Sequence, residues 1–166
     1  AEKKKLQLKD LCIGVVGVGN VGSKVANVCE ILGMKVLLND PPRERAEGSA
    51  RFVSLQQVME QADIITLHVP LNMKGADATF HLGNDDFFSK LKKKPVLMNS
   101  CRGEVVETNA VKSALKNGLL SDFVCDCWEN EPAIDLELLS LTTIATPHIA
   151  GYSKDGKATG TQMSVK

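Results

Sequence analysis

The sequence is short of aromatic residues and carries no net charge. One tryptophan, one tyrosine and five phenylalanines stand among 166 residues. Acids and bases balance at 20 each, so there is no electrostatic ground for binding nucleic acid or an anionic membrane surface. The basic run Lys3-Lys4-Lys5 reads as a solvated tail. No apolar run approaches the ~20 residues of a membrane-spanning helix, and no signal-peptide core opens the chain. The five cysteines are odd in number and none forms a C-x-x-C pair. They therefore suggest neither a disulfide framework nor a zinc site, but reduced thiols in a cytoplasmic protein. The chain starts on Ala1 and closes within a helical pattern, so it is expected to be a piece of a longer protein.

Glycine, in contrast, is placed with purpose. An apolar run at residues 12–16 leads into Gly17-Val18-Gly19-Asn20-Val21-Gly22, then a helical pattern to Leu32, Gly33, a second apolar run and Asp40. Strand, glycine loop, helix, strand and acid is the dinucleotide-binding order. In that reading Gly17 makes the tight turn, Gly19 admits a pyrophosphate, and Gly22 lets the helix approach the strand. Asn20 and Val21 open the helix and aim N–H groups at the phosphates. Asp40, 18 residues beyond Gly22, holds the ribose hydroxyls and favours NAD over NADP. Arg43 nearby works against that preference. A purely structural turn and a methyltransferase-type nucleotide site stay open as alternatives.

The remainder alternates strand and helix, which implies an α/β fold: a Rossmann-type doubly wound parallel sheet with helices on both faces. Seven strands are expected, at residues 12–16, 35–39, 51–53, 63–67, 96–99, 122–126 and 143–145, in the spatial order 3-2-1-4-5-6-7. Val21, Val25, Val28, Ile31 and Leu32 form the apolar stripe of the first helix. Pro41-Pro42 breaks the second strand, and residues 43–50 read as a polar loop. Ser54 caps a helix, Gly118 ends another, and residues from Ser153 read as helical.

Ligands of such sheets bind beyond the carboxyl ends of the strands. Arg102, Glu131 and His148 follow three of them. His148 could take a hydroxyl proton, since imidazole is the side-chain type that titrates near working pH. Glu131 could orient and stabilise its imidazole, and Arg102 could grip a substrate carboxylate with two parallel bonds. Asp126 could accept from a nicotinamide carboxamide. Each has a plainer reading: a capping histidine, a solvated glutamate pair, a turn arginine. His68, His81 and Trp128 read as structural.

These motifs, with Leu67-His68-Val69-Pro70-Leu71, Asn99-Ser100-Cys101-Arg102-Gly103 and Pro147-His148-Ile149-Ala150-Gly151, resemble the cofactor domain of the D-isomer-specific 2-hydroxyacid dehydrogenases. The resemblance runs from about residue 8 to residue 163 and implies NAD as cofactor. It implies Arg102, Glu131 and His148 as the catalytic set. It also implies cofactor contacts at Gly19, Asn20, Val21, Asp40, Val69, Ser100, Cys101, Arg102, Asp126 and Gly151. Two stretches, Asn39-Asp40-Pro41-Pro42-Arg43 and residues 148–161 with Tyr152 where most members carry a small residue, resemble a branch acting on a small phosphorylated 2-hydroxy acid, which implies Arg102, His148 and Tyr152 as substrate contacts. The family's second, smaller domain is not accommodated in this length, so the chain reads as one NAD-binding domain, expected to turn over poorly alone and to form homodimers in the full-length protein. Another 2-hydroxyacid dehydrogenase and an NAD-sensing corepressor are the competing readings.

Overall fold

The computed structural model describes residues 7–151. Their centre is a parallel sheet of six strands: β1 (Cys12–Val16), β2 (Lys35–Asn39), β3 (Ile64–Leu67), β4 (Val96–Asn99), β5 (Asp122–Cys125) and β6 (Ile144–Ala145). They lie in the order β2-β1-β3-β4-β5-β6. Between them run α1 (Asn20–Ile31), α2 (Pro41–Glu47), α3 (Leu55–Gln61), α4 (Asp85–Ser89), α5 (Thr108–Lys116) and α6 (Leu136–Leu141). Every residue of β1 is buried, as a central strand covered on both faces requires. Ile13 and Val15 point into a cluster with Val18, Ala26, Cys29, Leu38 and Phe52. Cys12 and Val16 point into a larger one with Val58, Ile65, Leu97, Val111 and Phe123.

The expected seventh strand at residues 51–53 is a single bridge from Phe52 to Leu38. The expected order therefore survives with its outermost member reduced to one rung. The Asn39 side-chain amide takes the Val53 carbonyl at 2.8 Å, and Ser54 already caps α3 in a reciprocal box with Gln57, so no length remains for a strand.

The loop expected at residues 43–50 is corrected to α2 followed by a short turn. Pro41 and Pro42 occupy its first positions, where no amide hydrogen is needed. Asp40 caps it, accepting the Arg43 N–H at 3.1 Å.

The first helix also turns a different face inward. Its buried residues are Gly22, Ala26 and Cys29, while Val21, Val28 and Ile31 stay exposed, Ile31 at 77 %. Only Val25 and small side chains pack inward. A Cβ on Gly22 would stand 2.0 Å from the Gly17 carbonyl oxygen. So close an approach of helix to loop leaves no space for the larger residues.

The register places the final residue of every strand in one row. Asn39 pairs with Val16, Val16 with Leu67, Leu67 with Asn99, Asn99 with Cys125 and Cys125 with Ala145. The residues that follow, Asp40, Gly17, His68, Ser100, Asp126 and Thr146, thus emerge along one edge. Burial predicts the energetics. Phe123→Ala, at 1 % exposure, should lower the unfolding free energy by about 3–5 kcal/mol. Ile31→Gln should change it by less than about 0.5 kcal/mol, both measured by urea denaturation.

Candidate active site

At the first strand end, Gly17 has φ of 87°, and a Cβ there would lie 2.7 Å from the His68 carbonyl. The Val18 N–H donates to the Asp40 carboxylate at 2.8 Å, so one acid caps α2 and fixes the glycine loop. Arg43 is committed elsewhere. Its guanidinium donates to the Val18 carbonyl, pairs with Glu47 at 2.6 Å and lies 5.4 Å from the Phe52 ring centre. It is used within its own helix and the loop. The space over Gly19 is open, with no atom within 4 Å of where a Cβ would stand. No side chain caps α1, and Asn20 and Val21 are exposed at its start, so its leading N–H groups suit phosphate oxygens. Beside them a cavity of about 240 Å³ is lined by Gly17, Asp40, Pro41, Val69, Thr79 and Leu82. An open glycine, an uncapped helix start and a carboxylate at a largely apolar cavity fit the pyrophosphate and ribose of a dinucleotide.

The fourth and fifth strand ends are joined by one buried amide. Asn99 is 1 % exposed. Its Nδ2 donates to the carbonyls of Arg102 at 3.0 Å and Cys127 at 3.2 Å, and its Oδ1 accepts from the Cys101 N–H at 3.3 Å. A Cβ on Gly103 would stand 2.0 Å from the Trp128 carbonyl oxygen, so the Arg102 turn lies directly against the segment that carries Glu131. The Arg102 guanidinium is exposed and donates to the Cys101 carbonyl at 2.6 Å. Ser100 is exposed. Burial pushes the Cys101 thiol up, against backbone N–H groups that include Val69, and pushes Cys127 up to about 12. Both stay protonated at neutral pH and are poor nucleophiles.

The last two strand ends are joined by Asp126. It is buried, and its Oδ1 accepts from the Thr146 hydroxyl at 2.5 Å and the Ile149 N–H at 2.9 Å. Its Oδ2 accepts from the Ala150 N–H at 3.0 Å. These bonds position the loop bearing His148, whose φ is 52°. The His148 Nδ1 lies 2.7 Å from Oε2 of Glu131, while Oε1 of Glu131 accepts from the Trp128 N–H at 2.5 Å. Trp128 is buried and donates its indole N–H to the Thr146 carbonyl at 2.8 Å. Glu131 and His148 are therefore in direct contact, with Arg102 in the adjoining turn. Gly151 is an exposed turn residue at the limit of the described chain, and Tyr152 lies outside the described residues. His68 is tied to the Thr66 hydroxyl at 3.0 Å, and burial lowers its pKa. Sequence reasoning missed Asn99 and the loop-holding role of Asp126. The one available signal for Asn99 was a polar residue closing an otherwise apolar strand. Among the described residues, no group of acids, histidines and cysteines is disposed to hold a metal, and no helix is long and apolar enough to cross a membrane.

The family model for the NAD binding domain of D-isomer specific 2-hydroxyacid dehydrogenases matches residues 1–150. The chain belongs to that family. It is 56 % identical over 156 residues to a protein of Bacteroides thetaiotaomicron named erythronate-4-phosphate dehydrogenase, covering 94 % of this chain and 45 % of that protein. A Porphyromonas gingivalis protein of the same name is 47 % identical over 167 residues, with 100 % and 45 % covered. The chain thus spans about half the length of the curated relatives it matches. Among solved structures, D-lactate dehydrogenase of Aquifex aeolicus, complexed with NAD and lactic acid, superposes with a TM-score of 0.81 at 30 % identity, covering 99 % of this chain and 55 % of that one. The Lactobacillus jensenii D-lactate dehydrogenase with NAD+ gives 0.79 at 27 %, with 98 % and 52 % covered. The domain is therefore an NAD-binding domain of Rossmann type.

The bonds to Asp126 set a pH dependence. Burial would raise its carboxyl pKa, but the Thr146 hydroxyl and the Ala150 and Ile149 N–H groups outweigh it and hold the carboxyl below 3.8. The unfolded chain then binds the proton more readily. The stabilisation is complete above the ordinary aspartate range and is lost as pH falls through the folded value. Asp126→Asn should be less stable at pH 7 and show a flatter loss of stability below about pH 4, read by denaturation at a series of pH values. Asn99→Leu should cost about 1–3 kcal/mol, because the Arg102 and Cys127 carbonyls lose their shared donor.

Proposed function

We propose that this domain is the cofactor half of an enzyme that oxidises the 2-hydroxyl of 4-phospho-D-erythronate to the 2-oxo acid, a step towards pyridoxine and pyridoxal phosphate. The observation that carries the reading is the 2.7 Å contact between His148 Nδ1 and Glu131 Oε2, set at the same sheet edge as the glycine loop. A carboxylate on one ring nitrogen fixes the tautomer and favours the charged ring, so the other nitrogen can take the proton of a substrate hydroxyl. NAD, when bound, supplies the hydride acceptor. Arg102 holds the substrate carboxylate, with its turn fixed by Asn99. Gly17, Gly19, Asn20, Val21, Gly22 and Asp40 hold the adenosine and pyrophosphate side, and Val69, Ser100, Cys101, Asp126 and Gly151 the nicotinamide side. Tyr152 contacts the substrate phosphate. The shared name of the relatives supports this substrate. Thiols free of disulfides support a reducing, cytoplasmic setting. The apolar face of α1 supports a homodimer in the full-length protein.

Titrating NADH into the 166-residue chain while exciting Trp128, its one tryptophan, should give saturable energy transfer to the nicotinamide, weakened in Asp40→Ala. In the full-length protein His148→Gln should lower kcat by about 10²–10⁴-fold, and Arg102→Ala should chiefly raise KM. The 166 residues alone should turn over slowly or not at all. Unchanged kcat in His148→Gln, or full-rate turnover by the isolated chain, would overturn the proposal.

A further inference from the structure

Glu129 and Glu131 are two residues apart but make different attachments. Asn130 between them has φ of 62°, and a left-handed residue there redirects the chain. Glu131 faces His148. Glu129 is 15 % exposed in its side chain and divides its oxygens between two anchors. Oε1 lies 2.6 Å from the ring Nε2 of His81, and Oε2 accepts the N–H of Thr108 at 3.0 Å. Thr108 begins α5, where unpaired N–H groups and the helix dipole favour a carboxylate. His81 is fixed in turn. Its N–H donates to the Glu104 carbonyl at 2.8 Å, and its ring stacks on Phe80 with centres 3.9 Å apart.

The segment that follows β5 is tied to its neighbours by side chains. Asn99 binds the Cys127 carbonyl, the Trp128 indole binds the Thr146 carbonyl, and Glu131 binds the Trp128 N–H and His148. Glu129 is the attachment that joins the segment to α5 and to the 79–83 turn. That turn is itself bonded at Gly83 to Val105 and Glu107, and Thr79 and Leu82 line the cavity beside Asp40.

We propose that Glu129, clamped by His81 and the start of α5, is a positioning residue that sets where the Glu131 carboxylate stands against His148. The inference rests on the proton-relay reading above. A relay depends on its members being held within a fraction of an ångström of the working geometry, and this segment draws that precision from side chains. Other charges face the pair: Glu107 and Asp135 line the same hollow, and Lys112 is paired with Asp135 and Glu137. Around His148 the second carboxylate is Asp126.

The test uses the His148 ring as its own reporter. The chain has three histidines, so each imidazole is followed by its ring nitrogen resonances in NMR. Glu131→Gln should move the His148 resonances, because the carboxylate partner of Nδ1 is gone. Glu129→Gln should move them in the same direction and to a smaller extent, through displacement of Glu131. His81→Gln keeps the charge of Glu129, so a shift in the same direction reads displacement and not a lost field. Glu60→Gln on α3 is the control and should leave His148 unchanged. An unmoved His148 in both Glu129→Gln and His81→Gln, with Glu131→Gln shifted, would overturn the proposal. An unmoved His148 in Glu131→Gln would remove the relay reading and the inference with it. Loss of the folded circular dichroism spectrum in both Glu129→Gln and His81→Gln would also overturn it, because the pair would then hold the domain and not the relay.

Discussion

The parallel ladder ends all six strands on one row, and everything functional depends on that alignment. Evenly spaced parallel bonds hold neighbouring strands in strict register. The ladder also continues one rung beyond the row. Gly17 N–H donates to the Asn39 carbonyl, His68 to Val16, Asp126 to Asn99 and Thr146 to Cys125, at 2.7–3.0 Å. The glycine loop, the Asp126 turn and the His148 loop therefore leave the sheet with their first residue already fixed. Loops released in this way begin from a rigid base, so small side-chain attachments suffice to set their ends.

Those attachments are polar and withdrawn from water. Asn99 and Asp126 each commit their side chains to backbone groups of loops outside the sheet. Among the described residues, no buried side-chain nitrogen or oxygen lacks a partner. In a low-dielectric setting a satisfied network is stiff, and a broken one is costly. The edge that carries Arg102 and His148 is thus held by directional bonds, while two apolar clusters fill the sheet faces.

Much of this arrangement is legible in the amino-acid sequence. The apolar run of β1, the three glycines and Asp40 carry local chemistry, and local chemistry is written in adjacent residues. Ser54 with Gln57 reads as a cap for the same reason. The misreadings share a cause, which is that tertiary proximity outweighs local preference. Large apolar residues on α1 suggest the buried face, yet the closeness of Gly22 to Gly17 demands small ones there. Pro41-Pro42 ends the second strand as expected, but the stretch after it reads as a loop, and the Asp40 side chain makes it a helix start. Phe52 reads as strand, and it makes one rung only because Asn39 intercepts Val53. Asn99 escapes notice because its partners lie three and 28 residues away. The Glu131–His148 pair can be named from type and order, but its contact cannot.

Asp40 has a consequence for redesign. In the usual scheme for changing nicotinamide cofactor preference, the acid after the second strand is exchanged for a neutral or basic residue so that a 2′-phosphate is admitted. Here the same carboxylate caps α2 and binds the Val18 N–H, and Arg43, the nearest basic side chain on α2, is already engaged with Val18 and Glu47. Exchange at that position alone would release the glycine loop and the helix start together. With Asp40 as the proposed ribose-binding acid, recognition and architecture would be fused in one side chain, and selectivity there could evolve only in company with its supports.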